Sequence, residues 1–201
     1  MNIVIRASDS QKQIISTKKC SESAKIIWST DAVVDADVYI DLLFNNENSV
    51  FNSITNKPVI VNAVIETCNE LPQNFCRVNA WNTWLEKDKL EVCVPNDETK
   101  EVIEQFFNLI GYQIWFVNDI AGMISARSIA MIINEAYFGL EDEISTKEQI
   151  DTAMKLGTNY PFGPFEWSQK IGLKNIANLL VKLSKSDDRY VPSQLLIKDA
   201  N

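Results

Sequence analysis

Apolar positions along this chain follow two rhythms, and the rhythm changes near residues 118–119. Before that point, short continuous apolar runs at 3–6, 24–28, 37–44 and 58–61 alternate with polar segments. Runs of this length suit strands of a parallel sheet buried on both faces. Residues 90–94, Leu-Glu-Val-Cys-Val, alternate apolar with polar and predict a half-exposed strand. Between 3–6 and 24–28, Ser8-Asp9-Ser10 offers turn or helix-cap chemistry. Asn96-Asp97 opens a helix whose residues Val102, Ile103, Phe106, Phe107 and Ile110 recur at helical spacing until Gly111 stops it. A further strand is expected over 112–117.

Beyond Asp119 the pattern is helical throughout. Residues 123–138 predict a long helix that is apolar on more than one face, which must therefore bury both. Ser145-Thr146-Lys147-Glu148 reads as a capping box, with the Ser145 hydroxyl accepting from a free amide and Glu148 reaching back. The helix it opens is expected to run to Gly157. Pro164 suits the first turn of the next helix, where a missing N–H costs nothing. A last long helix is expected over 173–183. The predicted organisation is an α/β domain over 1–118 and an all-α domain over 119–201.

Composition narrows the function classes. A hydrophobic fraction of 46% is enough for a sizeable core. A formal charge of −8 disfavours nucleic acid, and it gives no help in attracting an anionic CoA. No apolar run approaches the roughly 18 residues needed to span a bilayer. The chain opens directly into a strand pattern without a signal-peptide pattern, so a cytoplasmic protein with no membrane association is expected. Cys20, Cys68, Cys76 and Cys93 lack close paired spacing, and the chain has no histidine. Reduced thiols are expected, and no metal site.

Residues 151–167, Asp-Thr-Ala-Met-Lys-Leu-Gly-Thr-Asn-Tyr-Pro-Phe-Gly-Pro-Phe-Glu-Trp, resemble the signature of the C-terminal helical domain of 3-hydroxyacyl-CoA dehydrogenases. The similarity extends over about 118–196, and Arg189-Tyr190-Val191-Pro192 with Leu195-Leu196 looks like the family's closing segment. Upstream, residues 36–41 resemble the family strand A-D-L-V-I-E-A. In the family that strand follows a complete dinucleotide-binding unit and a long CoA-contacting helical region, whereas 35 residues precede it here. The resemblance implies a reduced Rossmann-like parallel sheet followed by the family's helical domain. It also implies a homodimer formed through that domain, an acyl-CoA-type ligand, and a link to fatty acyl-CoA or hydroxybutyryl-CoA metabolism.

The family's chemistry carries over unevenly. Asn79-Ala80-Trp81-Asn82-Thr83 looks like the family's H-F-F-N-P segment, with Asn79 in place of the catalytic histidine and Asn82 matching the last asparagine. An amide cannot take up a proton near neutral pH. The glutamate that orients the family's histidine lies twelve residues downstream of it, and the same count reaches Glu91. Asn62-Ala63-Val64-Ile65 looks like N-T-S-S without its substrate-contacting serine. Residues 121–127 look like P-G-F-x-x-N-R, retaining Gly122 and Arg127 but with Ala126 for the asparagine. The candidates are thus Glu91 as a remnant catalytic acid or base, Asn79 in the histidine's place, and Asn82 and Arg127 for substrate.

Each candidate also has a structural reading. Glu91 suits the polar side of an alternating strand, the asparagines suit self-satisfied loops, and Trp81 and Trp84 suit packing rather than a ligand wall. The first strand leads into Arg6-Ala7-Ser8-Asp9-Ser10 where a dinucleotide loop needs glycine. Side chains there would hinder the pyrophosphate and Asp9 would add like charge, so no cofactor is expected, NAD being implied by the resemblance alone. Arg6 reads either as a strand end in solvent or as a phosphate contact. Two functions follow: a diverged 3-hydroxyacyl-CoA dehydrogenase relative with little or no NAD-dependent activity, in effect a pseudoenzyme, or a non-catalytic dimeric ligand-binding or partner-binding protein.

Overall fold

The short apolar runs of the first half assemble into one mixed sheet. A computed structural model describes residues 1–29, 35–45 and 49–201, and the chain divides into two units, 1–123 and 124–201. The strands of the first unit are β1 (Asn2–Arg6), β2 (Lys25–Ser29), β3 (Val38–Asp41), β4 (Val59–Val61), β5 (Phe75–Val78), β6 (Lys89–Cys93) and β7 (Gln113–Phe116). Their order is β2-β1-β3-β4-β5-β6-β7. The first five pair in parallel, β6 runs antiparallel to β5, and β7 is parallel to β6. Helix α1 (Asp9–Ser16) crosses from β1 to β2, and α2 (Lys100–Leu109) precedes β7. This is a Rossmann-like sheet, mixed rather than wholly parallel.

Period-two alternation gives the sheet two apolar faces. Ile3, Ile5, Val38, Ile40, Ile60 and Val78 pack with Ile15 of α1 and with Ile103, Phe106 and Phe107 of α2. On the other face, Val4, Tyr39, Val59, Val61 and Phe75 pack with Phe44 and Phe51 from connecting segments. Central strands are buried on both sides, so residues 89–93 are not half-exposed as their alternation predicts. Leu90, Glu91, Val92 and Cys93 are all buried, because β6 lies between β5 and β7. The alternation of exposure falls instead on the edge strand β7, where Trp115 is exposed under the Lys89 ammonium. Strand β5 has no counterpart in the sequence reading. It is only four residues long and carries a buried arginine, Arg77, which breaks the apolar run. Gly111 does end the α2 segment, at φ 83°, and a Cβ there would come within 2.9 Å of the Lys19 amide nitrogen.

The second unit is a bundle of α3 (Ser125–Glu141), α4 (Lys147–Thr158), α5 (Pro164–Ile171), α6 (Leu173–Ser184) and α7 (Gln194–Ala200). The capping box before α4 lies one residue later than the sequence reading placed it. Thr146 accepts from the Gln149 amide, and Gln149 Oε1 accepts from the Thr146 amide. Gly157 does not end α4 either. The helix continues to Thr158, and Asn159 takes the left-handed cap at φ 56°.

The signature over 151–167 is a capping network. Asp151, buried on α4, accepts from the amides of Phe165 (2.8 Å) and Glu166 (3.2 Å) at the start of α5. Glu166 folds back to accept from the Gly163 amide and pairs with Lys155. A Cβ on Gly163 would lie 2.2 Å from Asp151 Oδ1, so glycine is what admits the carboxylate. Asn134 on α3 holds the closing segment, donating to the Val191 carbonyl at 2.9 Å and accepting from the Ser193 amide at 2.8 Å.

Candidate functional site

Polar side chains gather at the carboxyl edge of the parallel strands. Arg6 ends β1, Asp41 ends β3, Asn62 follows β4 and Asn79 follows β5, while the antiparallel β6 brings Glu91 alongside Asn79. In open α/β sheets this edge is where ligands bind, at the point where strand order reverses. Here the chain passes from β1 outward to β2 and then returns to β3 on the other side of β1, so the reversal falls between Arg6 and Asp41.

Asn79 and Glu91 touch. The Asn79 amide nitrogen donates to Glu91 Oε2 at 3.3 Å, and the Asn79 backbone N–H donates to the Glu91 carbonyl at 3.0 Å. Both residues are buried, and Asn79 Oδ1 accepts from the Trp81 amide at 3.4 Å. Each end of the Asn79 side chain therefore has a protein partner. Asn62 joins them through backbone, its Oδ1 accepting from the Ala80 amide at 2.9 Å.

Asn82 is exposed in the turn that leaves β5, beside Thr83 at φ 82°. Thr83 stands where the resembling motif has proline, whose ring holds φ near −65°. The turn therefore leaves the sheet on a course proline could not take. Trp81 in the same turn is buried and Trp84 half-buried. Arg127 stands near the start of α3, in the second unit.

Two ion pairs at this edge went unread in the sequence. Arg77 is fully buried. Its Nε donates to the Ala63 carbonyl at 2.9 Å and its Nη2 to the Val64 carbonyl at 3.1 Å, while Nη1 pairs with Asp119. Asp119 also accepts from the Cys68 amide at 2.9 Å. The second pair is Arg6 with Asp41, described below. A charged residue inside an apolar strand run was the signal for both, because such a group is buried only with a partner.

The thiols near Arg77 are not reactive groups. Burial pushes Cys68 up to about 12, with the Asp119 carboxylate adding to the shift, and pushes Cys93 up to about 11. Both stay protonated at neutral pH, and Cys93 Sγ lies 3.3 Å from the carbonyls of Val117 and Asn118.

The turn from β1 into α1 accommodates an anionic group better than its composition suggests. Residues 6–9 make it without a positive φ, so glycine is not required for its shape. Ser8 caps α1 and occupies the Gln11 amide. The amides of Asp9 and Ser10 have no partner among the described residues, as expected for helix N-terminal donors. Asp9 points into solvent and pairs with Lys12 at 3.2 Å, so its charge is countered.

The family model for the 3-hydroxyacyl-CoA dehydrogenase C-terminal domain matches residues 122–199. Over these residues the chain is assigned to the 3-hydroxyacyl-CoA dehydrogenase C-terminal domain, the match covering less than half of its length. It is 38% identical over 104 residues to 3-hydroxyadipyl-CoA dehydrogenase of Escherichia coli K12, covering 51% of this chain and 22% of that protein. It is 30% identical over 176 residues to mitochondrial hydroxyacyl-coenzyme A dehydrogenase of Rattus norvegicus, covering 81% of this chain and 55% of that protein. The chain thus spans less than two thirds of either relative. The fold matches (S)-3-hydroxybutyryl-CoA dehydrogenase from Ralstonia eutropha with a TM-score of 0.75 at 20% identity, covering 98% of this chain and 92% of that one.

These findings correct the expectation that the chain has no cofactor. That expectation rested on the missing glycines, but the Rossmann-like sheet, its strand-order reversal and the open α1 amides are all present. The family match adds relatives named as dehydrogenases. Among the described residues, no helix is long and apolar enough to cross a membrane.

Proposed function

We propose that this chain is a diverged member of the 3-hydroxyacyl-CoA dehydrogenase family that holds NAD and an acyl-CoA-type ligand but oxidises hydroxyacyl-CoA little or not at all. The observation that carries this reading is the occupied Asn79 amide, which donates to Glu91 and accepts from Trp81. Oxidation of a secondary alcohol requires a group that takes the hydroxyl proton as hydride leaves. NAD bound at the β1–α1 turn would supply the hydride acceptor. Arg6 and the amides of Asp9 and Ser10 are the groups placed to hold it. An amide cannot serve as the base, and Glu91 already accepts from Asn79.

The test is NADH formation from 3-hydroxybutyryl-CoA and NAD by wild type and by Asn79→His. Wild type should stay at background. Asn79→His, which sets an imidazole against the Glu91 carboxylate, should gain a measurable rate, since general-base catalysis contributes about 10²–10⁴-fold. Robust turnover by wild type would sink the reading.

A second reading, a non-catalytic dimeric binding protein, is favoured by apolar exposure on the helical unit. Ile144 is 74% exposed and, with Ile132, Ala136, Ile150 and Met154, lines a groove of about 290 Å³, and Leu156 on α4 is 83% exposed. Such surface is what an interface would cover. A homodimer in sedimentation at micromolar concentration supports it, and a monomer counts against it.

A further inference from the structure

Arg6 is the residue by which this chain departs most from a glycine-lined dinucleotide turn, and its geometry is specific. It ends β1 at the reversal of strand order. One guanidinium nitrogen, Nη1, is held by both oxygens of Asp41, at 3.1 and 3.2 Å. Asp41 is fully buried and is itself fixed by the Ser49 hydroxyl at 2.7 Å and the Leu43 amide at 3.0 Å. The Arg6 side chain keeps 22% of its surface exposed, and its Nε and Nη2 take no partner among the described residues. Asp41 therefore orients the guanidinium without using up its donors. Gln11, three residues past Ser8, braces the same crevice by donating to the Leu42 carbonyl at 3.4 Å.

We propose that Arg6 is the diphosphate-contacting residue of this chain, its free Nε and Nη2 meeting the dinucleotide's phosphates where close-approaching backbone amides would do so in a glycine-lined turn. Arginine suits this role because its planar fork presents paired donors to phosphate oxygens. Asp41 acts as a positioning residue, and its carboxylate also tempers the local positive charge. The proposal rests on the NAD reading above and assigns the contact within it.

The experiment is NADH titration of the full chain by calorimetry, with CoA as a second ligand because it also carries a diphosphate. Arg6→Gln alone would leave the buried Asp41 carboxylate without its counter-ion and would unsettle the fold. The working variant is therefore Arg6→Gln with Asp41→Asn, which removes both charges together. It should keep the wild-type circular dichroism and weaken NADH binding by about tenfold or more, and the wild-type salt dependence of affinity should flatten. Asp41→Asn alone keeps the Arg6 charge but loosens its orientation, and should weaken NADH binding by less than the double variant does. Unchanged NADH affinity in the folded double variant would overturn the role of Arg6 while leaving the NAD reading intact. Loss of CoA binding with NADH binding unchanged would also overturn it, by assigning the contact to the other diphosphate. Absence of saturable NADH binding to wild type up to millimolar concentration would sink both.

Discussion

In the helical unit, the residues that carry the family signature serve one another. Asp151 caps the helix that Pro164 begins, Gly163 makes room for the carboxylate, and Glu166 closes the loop onto Lys155. In the sheet unit, the residues expected at the family's catalytic positions also touch, Asn79 against Glu91, but Asn79 is an amide that cannot take up a proton. The first network is held by geometry, and almost any change to it costs stability. The second sits at a strand end already secured by backbone pairing, where an amide replaces an imidazole without disturbing the sheet. A fold signature and a sheet-edge pair can thus change independently, because the two are enforced by different physical demands.

The comparison can be broken hardest at Arg77. If the sheet edge is secured by structural groups and not by the catalytic pair, Arg77→Met should destabilise the chain by about 3–5 kcal/mol, since it strands Asp119 and two buried carbonyls. Urea denaturation measures it, and a loss under 1 kcal/mol would remove the distinction. Gly163→Ala tests the helical side. Its Cβ would stand 2.4 Å from the Asp151 Cβ, so the backbone must shift and the cap is lost, for about 3 kcal/mol. A thermal midpoint equal to wild type would show that the signature is not a packing constraint.

Gly157 sharpens the point by the opposite sign. It lies inside α4 with open space around it, so Gly157→Ala should stabilise the chain by about 0.5–1 kcal/mol. Of two glycines in one signature, only Gly163 is then required by structure. The smallest expected effect is on acidification. The Lys155 ammonium, and then the Gly163 amide, hold the Glu166 carboxyl below its ordinary range. A depressed carboxylate contributes stability that is fully present above its unfolded pKa of about 4.5 and is lost as pH falls through the lower folded value. Glu166 is partly exposed, so the loss should be slight and should shrink further in high salt. Denaturation at pH 6 and pH 3, with and without salt, for wild type and Lys155→Met, checks the sign.

The helical half and most strands were legible in the sequence because they depend on neighbours close along the chain. Periodicity marked 123–138 and 173–183, Pro164 marked a helix start, and Gly111 marked a stop. The Thr146 capping box was displaced by one residue, because Ser145 and Thr146 offer the same hydroxyl and only backbone geometry chooses between them. The spacing of twelve residues between Asn79 and Glu91 was legible, but their hydrogen bond depends on β5 turning back into an antiparallel β6.

Tertiary structure alone decided the rest. Whether β6 is half-exposed or buried depends on its place between β5 and β7, which its own alternation cannot encode. The partners of Arg77 and Arg6 lie 42 and 35 residues away, and nothing local announces them. The missing glycines spoke against a cofactor only while the turn was imagined as a glycine loop. Its residues close the turn without positive φ, and the parallel sheet places Arg6 at the strand-order reversal. The sequence by itself determined where helices and strands begin and which side chains were on hand, because capping, turns and periodicity act within a few residues. Which charges meet, and at which edge of the sheet, was set by long-range strand pairing, where the partner is chosen by the fold.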